Sequence, residues 1–254
     1  LRKSAAMLAY LASTGQPHSR DRLSTLFWPE SSQKSARSSL RRMLYNIGQM
    51  VNGGLLKVST DTIEIGPDAA LWTDVVAFQH AVSSGLKDAA LREAGPSDGS
   101  PQEQSIEQFR LAVDLCQDDF MAGFALEDCP EFDEWQFFQR EELRQMAAKV
   151  LQVLVDHDAG HDDFQSAIAH CRRWLSLDLT NEVAHRKLML LYAQSGAHAA
   201  SLRQFEEAVR ILNESSGASP QNETVQLYEK IRLRQIDSGD DTARLEVVPQ
   251  TTPT

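Results

Sequence analysis

The chain has 254 residues, 42% of them hydrophobic and 24% charged, with a formal net charge of −11 at pH 7. This length and composition predict a globular protein with one large domain or two ordinary ones, each able to bury a hydrophobic core. No apolar run approaches the roughly 18 residues that a membrane-spanning helix needs, so we expect no membrane association.

The first 66 residues differ from the rest of the chain in charge. They contain nine basic and four acidic side chains, a net charge of +5, which leaves −16 for the remainder. A basic segment at one end of an acidic chain predicts an anionic partner for that segment alone.

The basic segment begins with two short predicted helices. Residues 3–13 are rich in alanine and leucine, and Gly15 ends this first helix. Ser19 is the predicted N-cap of a second helix. Pro29 ends that helix, because the residue before a proline is driven away from helical dihedral angles.

A third predicted helix, capped by Ser31 or Ser32 and running to about Val51, is amphipathic. Its apolar stripe comprises Ala36, Leu40, Leu44, Ile47 and Val51. The opposite face comprises Lys34, Arg37, Ser38, Arg41 and Tyr45, with Arg42 on its flank. Such a face is either a solvated helix surface or a surface that contacts phosphate.

A β-hairpin is predicted after the third helix, where residues 55–65 alternate between apolar and polar side chains around a turn at Thr60 and Asp61. Three helices followed by a hairpin are the order of a winged helix, in which the third helix enters the major groove and the hairpin is the wing. The predicted DNA contacts are Lys34, Arg37, Ser38, Arg41, Arg42 and Tyr45 on the helix and Lys57, Ser59 and Thr60 on the wing.

The acidic part of the chain is predicted to be helical. A helix capped by Thr73 or Asp74 precedes a flexible loop at 92–105, and a helix at 105–115 follows. The strongest helix spans 129–157, with a proline at its first position. Its apolar face comprises Phe132, Trp135, Leu143, Met146, Val150 and Leu154, which we interpret as core rather than as a ligand cage.

A repeat follows, in which Ala167 and Ser201 occupy equivalent positions 34 residues apart. The positions typical of a tetratricopeptide repeat are Leu188, Tyr192, Gly196, Ser201, Phe205 and Ala208. Each such repeat is a helical hairpin that buries its apolar face by stacking on its neighbours. A last helix is predicted at 220–234, and the polar residues 236–254 predict a disordered tail.

No motif predicts catalysis. The chain has no glycine-rich phosphate loop and no nucleophile elbow, so we expect a protein that is not an enzyme and has no cofactor. His157 and His161 have helical metal-ligand spacing, but Gly160 lies between them and we favour a polar turn over a metal site. Three cysteines without metal-ligand spacing predict reduced thiols in a cytoplasmic protein.

Four separated stretches resemble one family. These are PHSRDRLSTLFWPE (17–30), SARSSLRRML (35–44), CPEFDEWQFFQREELR (129–144) and NEVAHRKLMLLYAQSGAHAASLRQFEE (181–207). Together they resemble the bacterial transcriptional activator domain family of SARP-type regulators. The resemblance implies a mainly α fold, with an OmpR-like winged helix at 1–68, a tetratricopeptide-like helical domain at 69–235 and a tail at 236–254.

The resemblance also implies a function. SARP-type proteins are cytoplasmic transcription regulators, usually activators, that bind promoter direct repeats as side-by-side protomers and contact RNA polymerase. By motif match the recognition helix is the stretch 32–51, and Arg37, Arg41 and Arg42 match its basic positions. Double-stranded DNA, RNA polymerase and a second copy of the chain are therefore the expected partners.

Three positions depart from the family pattern. Gly48 stands where a basic residue is usual, Asp118 replaces a turn glycine, and Cys129 replaces a serine cap. The strands that precede the first helix in the family are missing, and the chain starts at Leu1, so we expect the natural N-terminus to lie upstream. These departures predict weaker DNA binding, and they leave open a protein-interaction scaffold whose degenerate winged helix no longer binds DNA.

Overall fold

The computed structural model describes residues 2–50, 54–93 and 103–235, without the side chains of 88–93. The chain divides into two compact units, Leu1–Val150 and Leu151–Thr254. The predicted domain boundary at residue 68 stays a prediction, and the predicted disordered tail at 236–254 lies outside the described residues. Within the described ranges, no helix is both long and apolar enough to cross a membrane.

The first unit begins with three helices and a small sheet. In chain order the elements are α1 (Arg2–Thr14), β1 (His18–Ser19), α2 (Arg20–Phe27), α3 (Gln33–Met50), β2 (Leu56–Val58) and β3 (Thr62–Ile65). Ser19 is the N-cap of α2, as predicted, and its side chain accepts a hydrogen bond from the Arg22 amide at 3.1 Å. At the start of α3, the Ser32 hydroxyl accepts from the Ser35 amide at 3.4 Å.

The sheet has the order β1-β3-β2 and is antiparallel throughout. β2 and β3 form the predicted hairpin, with Lys57 opposite Glu64. Strand β1 was not predicted, because two residues are too few for an alternating pattern. Its pairing of His18 with Ile63 makes β3 the central strand, and the Ile63 side chain is fully buried.

The apolar stripe of α3 differs from the prediction at one position. Its buried residues are Ala36, Leu40, Met43 and Ile47. Leu44 was predicted in the stripe but is only partly buried. The 3.6-residue period places Met43 nearer the centre of the stripe than Leu44. Val51, the last predicted member, lies outside the described residues.

Three further helices belong wholly or partly to the first unit: α4 (Asp74–Glu93), α5 (Glu103–Leu115) and α6 (Pro130–Gly160). Thr73 caps α4, since its hydroxyl accepts from the Val76 amide at 3.2 Å. Both ends of the loop predicted at 92–105 are helical, which corrects that prediction, and residues 94–102 are outside the described ranges. Loop composition locates a break between two helices, but it does not fix the residues at which those helices end and begin.

Close packing of α4 on α5 depends on Gly85. A Cβ atom there would lie 2.5 Å from the Phe109 ring, and Phe109 is itself 2% exposed. A glycine at this position therefore lets a buried aromatic ring approach the helix backbone.

The core of the winged helix includes residues from the start of α6. Phe27 of α2 lies in one buried cluster with Leu126, Cys129 and Phe132, and the rings of Phe27 and Phe132 are 5.5 Å apart. Cys129 does not act as a polar cap; its thiol donates to the Phe27 carbonyl at 3.4 Å. Helical periodicity predicted that Phe132 lies in a core, but it does not indicate that this core is shared with α2.

The rest of the predicted α6 face is mainly buried. Leu143, Val150 and Leu154 are buried as predicted, whereas Trp135 and Met146 are only partly buried. Pro130 is the first residue of the helix, also as predicted.

The turn at Asp118 departs from the family pattern, but hydrogen bonds to the next two residues hold it in place. Asp119 accepts two hydrogen bonds from the Arg144 guanidinium, at 2.8 and 2.6 Å. This hydrogen bonding lowers the pKa of Asp119. The neighbouring Phe120 carbonyl accepts from Arg140 at 3.3 Å. A side-chain network on α6 therefore stabilises the turn.

The second unit contains the helical repeat. Its further helices are α7 (Phe164–Leu177), α8 (Glu182–Gln194), α9 (His198–Ser216) and α10 (Asn222–Arg232), the last of which is shorter than the predicted 220–234. Ala167 and Ser201 are both fully buried, as equivalent positions of a repeat require. Gly196 adopts φ 80° at the turn between α8 and α9, a conformation that favours glycine.

A buried polar network connects α8 to α10. Glu182 accepts from the Gln221 amide at 2.8 Å and from the Thr224 hydroxyl at 2.6 Å. Arg186 donates to the Thr224 hydroxyl at 3.0 Å. Because Glu182, Arg186 and Thr224 are all buried, the network specifies how the last helix packs.

Candidate nucleic-acid interface

The helices α2 and α3 form a helix-turn-helix pair on the shared core. Leu23 and Phe27 of α2 and Leu40 of α3 are all fully buried in that core. Burial of one face of α3 leaves the opposite face in solvent. The β2–β3 hairpin, residues 56–65, is hereafter the wing.

Every predicted contact on α3 lies on its exposed side. These residues, hereafter the recognition face, are Lys34, Arg37, Ser38, Arg41, Arg42 and Tyr45. Tyr45 is 67% exposed, a high value for an aromatic side chain. The helix contains four basic residues and no acidic one, so the field at this face is positive.

Arg37 differs from the other cations of the recognition face because it has an internal partner. Its Nε and Nη2 atoms donate to the two carboxylate oxygens of Asp21, at 2.7 and 2.8 Å. Both side chains are about half exposed, so this bidentate pair is worth at most about 1 kcal/mol. The pair joins α2 to α3 across 16 residues of sequence, a contact that no local pattern indicates.

The remaining cations of the face, Lys34, Arg41 and Arg42, make no hydrogen bond or ion pair with any residue that the structure describes. Their charges are therefore not neutralised by described neighbours. Ser38 and Tyr45, between and beside them, likewise have no described hydrogen-bond partner. This arrangement suits a polyanion that supplies several phosphates at once.

On the wing, two of the three predicted contacts have structural roles. Lys57 forms an ion pair with Glu64 at 2.8 Å, and hydrogen bonding to that carboxylate raises the pKa of Lys57. Ser59 closes the turn, since its hydroxyl accepts from the Thr62 amide at 2.9 Å. Thr60 is exposed at the tip and has no partner in the described part of the chain.

Arg20 was not among the predicted site residues, although it connects the helix pair to the wing. Its Nε donates to the Ser59 carbonyl at 3.1 Å, and its backbone amide donates to the Asp61 carbonyl at 2.9 Å. The only sequence signal was its position directly after the Ser19 cap. Its role depends on the β1–β3 pairing, which the sequence does not reveal.

Gly48, where the family pattern has a basic residue, lies in α3 and is exposed. A Cβ atom added there would meet nothing within 4 Å. The structure therefore has room for a side chain at this position, and the glycine is not required by packing.

The histidine pair considered as a metal site lies where α6 ends, with His157 in its last turn and His161 just beyond the helix. His161 donates through Nδ1 to the His157 carbonyl at 2.7 Å, and the two rings are 4.3 Å apart. Buried Asp158 accepts from His170 at 2.9 Å. Nowhere in the described ranges do three or more potential metal ligands come together.

Among the described residues, Cys116, Cys129 and Cys171 form no disulfide. Burial raises the pKa of Cys171 to about 12, and burial also raises the pKa of Cys129. Both are therefore protonated and unreactive at neutral pH.

The chain is similar to a known protein family and to solved structures. The family model described as "Bacterial transcriptional activator domain" matches residues 73–232, more than half of the chain. A solved structure, Mycobacterium tuberculosis EmbR in complex with a low-affinity phosphopeptide, is similar with a TM-score of 0.68 and 18% sequence identity. The similarity covers 94% of this chain and 61% of that chain, so this chain spans less than two thirds of EmbR. No curated protein sequence matches the chain.

Proposed function

The chain belongs to the bacterial transcriptional activator domain family of SARP-type transcription regulators, and from this premise we propose that its winged helix recognises promoter DNA. As a member of a family of regulators it is not an enzyme. In the proposal, α3 enters the major groove and the wing lies against the backbone.

One observation supports this proposal above the others: a helix face with four basic residues and no acid, exposed beside a hairpin wing. Arg41 and Arg42 have no described partner, and we assign them to phosphate or guanine contacts. Lys34, Ser38 and Tyr45 are assigned to further phosphate or base contacts.

Arg37 and the wing have different proposed roles. Arg37 contacts DNA in one of two ways: it releases Asp21 and binds DNA instead, or it contacts DNA while still paired with Asp21. Thr60, at the tip of the wing, contacts the DNA backbone. Lys57 and Ser59 also contact the DNA backbone, and they stabilise the hairpin as well.

The helical domain is the proposed partner-binding part of the molecule. On the family resemblance, we assign it contacts with RNA polymerase and with a second protomer bound to the adjacent direct repeat. Such a protein activates transcription in the bacterial cytoplasm.

The test is selection of bound fragments from genomic DNA, comparing the wild type with Arg41→Ala/Arg42→Ala. These two arginines are chosen because their loss breaks no described contact, unlike the loss of Arg37. The control is Arg232→Ala/Arg234→Ala, which removes the same charge from exposed positions at the end of α10. We expect direct repeats to be enriched by the wild type and the control and lost in the recognition-face variant.

Salt dependence provides a second measurement on the same proteins. Each phosphate contact contributes about 0.9 to the slope of log affinity against log salt concentration, so the double variant loses up to about 2. If the folded wild type enriches no sequence and its slope equals that of the variant, the recognition face is a solvated surface. The protein-interaction scaffold would then replace the DNA-binding proposal.

A further inference from the structure

A groove of about 570 Å³ opens on the surface of the second unit. It is lined by the side chains of Arg172 on α7, Tyr192 at the end of α8, and Arg203, Gln204, Glu207 and Arg210 on α9. We name it the arginine groove, after Arg172, Arg203 and Arg210. DNA recognition by the winged helix does not use any of these residues.

Arg172 is held in a fixed orientation without losing its charge. Its Nε and Nη2 atoms donate to the hydroxyl oxygen of Tyr192, at 2.9 and 2.7 Å. The Tyr192 side chain is buried, so its hydroxyl has a fixed position and holds the Arg172 guanidinium in this orientation. Because a phenol is neutral, the guanidinium keeps its positive charge and its remaining donors for a ligand.

Arg203 and Arg210 lie seven residues apart on α9 and therefore on one side of the helix. Arg210 is neutralised by ion pairs with Glu207 and Glu214, at 2.6 and 2.7 Å. Arg203 is exposed and makes no ion pair or hydrogen bond within the described ranges. The groove thus presents two guanidinium groups, those of Arg172 and Arg203, that lack an anionic partner among the described residues.

Gln204 adds a hydrogen-bond acceptor. The Nε2 atom of His185 lies 2.9 Å from the Leu179 carbonyl and must donate to it. In the neutral imidazole of His185, Nδ1 is then an acceptor, and it accepts a hydrogen bond from the Gln204 side-chain amide at 2.8 Å. The Gln204 carbonyl oxygen consequently has no described partner and is available to a backbone N–H.

We propose that the arginine groove binds an acidic peptide segment of a protein partner. Arg172 and Arg203 would bind side-chain carboxylates through charge-assisted hydrogen bonds, and Gln204 would accept from the peptide backbone. The described residues 151–235 contain nine basic and eleven acidic side chains, so the attraction is local to the groove. Glu206 and Glu207 also line the groove and would repel any anion placed against them. A peptide can present neutral residues to these glutamates, whereas every nucleotide carries a phosphate, so a nucleic acid fits less well.

The experiment measures fluorescence anisotropy of a labelled peptide that alternates glutamate with glycine, titrated with the full chain at low salt. A peptide with glutamine in place of glutamate is the neutral reference. The test variant is Arg172→Gln/Arg203→Gln. The charge-matched control is Arg232→Gln/Arg234→Gln at the end of α10, which lie neither in the groove nor on the recognition face. Thermal unfolding verifies that each protein is folded.

We expect the wild type and the control to bind the acidic peptide more tightly than the neutral one. The groove variant should lose about tenfold or more in affinity for the acidic peptide. Tyr192→Phe, which removes the hydroxyl that orients Arg172 but no charge, should give a smaller loss. Tyr192→Phe therefore distinguishes the contribution of the orientation of Arg172 from the contribution of its charge.

Three results would overturn the proposal: equal affinity for the two peptides, an unchanged affinity in the groove variant, or an equal loss in the α10 control. If the groove variant instead loses affinity for duplex DNA and not for the peptide, the groove is a phosphate-binding surface. Genomic DNA selection remains a separate readout, so failure of this proposal and failure of DNA recognition are distinguishable.

Discussion

At the scale of the residue, Gly48 offers a direct test of the proposed DNA binding. It lies in the final turns of α3, and a methyl group at this position would meet no atom within 4 Å. Glycine costs a helix interior about 1 kcal/mol relative to alanine. We therefore expect Gly48→Ala to raise the free energy of unfolding by about 0.5–1 kcal/mol, measured by urea denaturation.

Gly48→Lys then tests whether a basic side chain at this position, as in the family pattern, contributes to DNA binding. It should match Gly48→Ala in stability, because neither side chain meets a neighbour, and it should steepen the salt dependence of DNA binding by about 0.9. Gly48→Ala is the control, since it changes the helix without adding charge. Equal salt slopes for the two variants would mean that position 48 does not approach phosphate.

Asp21 neutralises one cation of the recognition face. Asp21→Asn removes the charge that pairs with Arg37, and because the pair is half exposed, stability should change by less than about 1 kcal/mol. The freed guanidinium should tighten binding to duplex of arbitrary sequence and steepen its salt slope by about 0.9.

The matched control for Asp21→Asn is Asp68→Asn, which removes the same charge from an exposed position. We expect this control to leave the slope within error of the wild type. An identical response of both variants would attribute the effect to net charge and would remove Arg37 from the interface.

At the scale of the element, the residues of the wing differ in how much they contribute to its stability. The Ser59 hydroxyl accepts from the Thr62 amide at 2.9 Å and the Ser59 amide donates to the Thr62 carbonyl at 2.9 Å, whereas Thr60 has no described partner. Ser59→Ala should lower the free energy of unfolding by about 1 kcal/mol, and Thr60→Ala should change it by less than about 0.5 kcal/mol.

Urea denaturation of the two wing variants measures this difference directly. Thr60→Ala should nevertheless weaken DNA binding, because Thr60 is the proposed backbone contact at the tip. If Thr60→Ala binds DNA like the wild type, the wing contacts the backbone through other residues or not at all.

At the scale of the first unit, the winged helix shares its core with a later part of the chain. Its core includes Leu126, Cys129 and Phe132, all of which lie beyond residue 68. Loss of a buried phenylalanine alone costs about 3–5 kcal/mol, which is comparable with the stability of a small domain. A fragment of residues 2–68 should therefore lack a cooperative unfolding transition, although it contains every predicted DNA contact.

Circular dichroism in urea distinguishes the fragment from the full chain, which should unfold cooperatively. Phe132→Ala in the full chain is the companion variant, and it should destabilise the winged helix although it lies on α6. A sharp two-state transition of the 2–68 fragment would show that the shared core is dispensable.

The sequence by itself determined the local structure and the exposed chemistry. Capping residues such as Ser19 and Thr73, the 3.6-residue period of α3 and the alternation in the wing are encoded within a few residues of where they act. The exposed side of α3 was predicted residue by residue for the same reason, since a helix that buries one side must expose the other. The repeat was detectable because Ala167 and Ser201 recur at a fixed interval.

Only the tertiary structure decided which residues meet across long separations. The Asp21–Arg37 pair, the Arg20 bond to the wing, the core shared with Phe132 and the arginine groove all join residues from different elements. The periodicity of a sequence indicates on which face of its own helix or strand a side chain lies. It does not indicate which other element packs against that face. Partner choice is set by the packing of whole elements, and that packing decides which cations of the chain are left to bind a ligand.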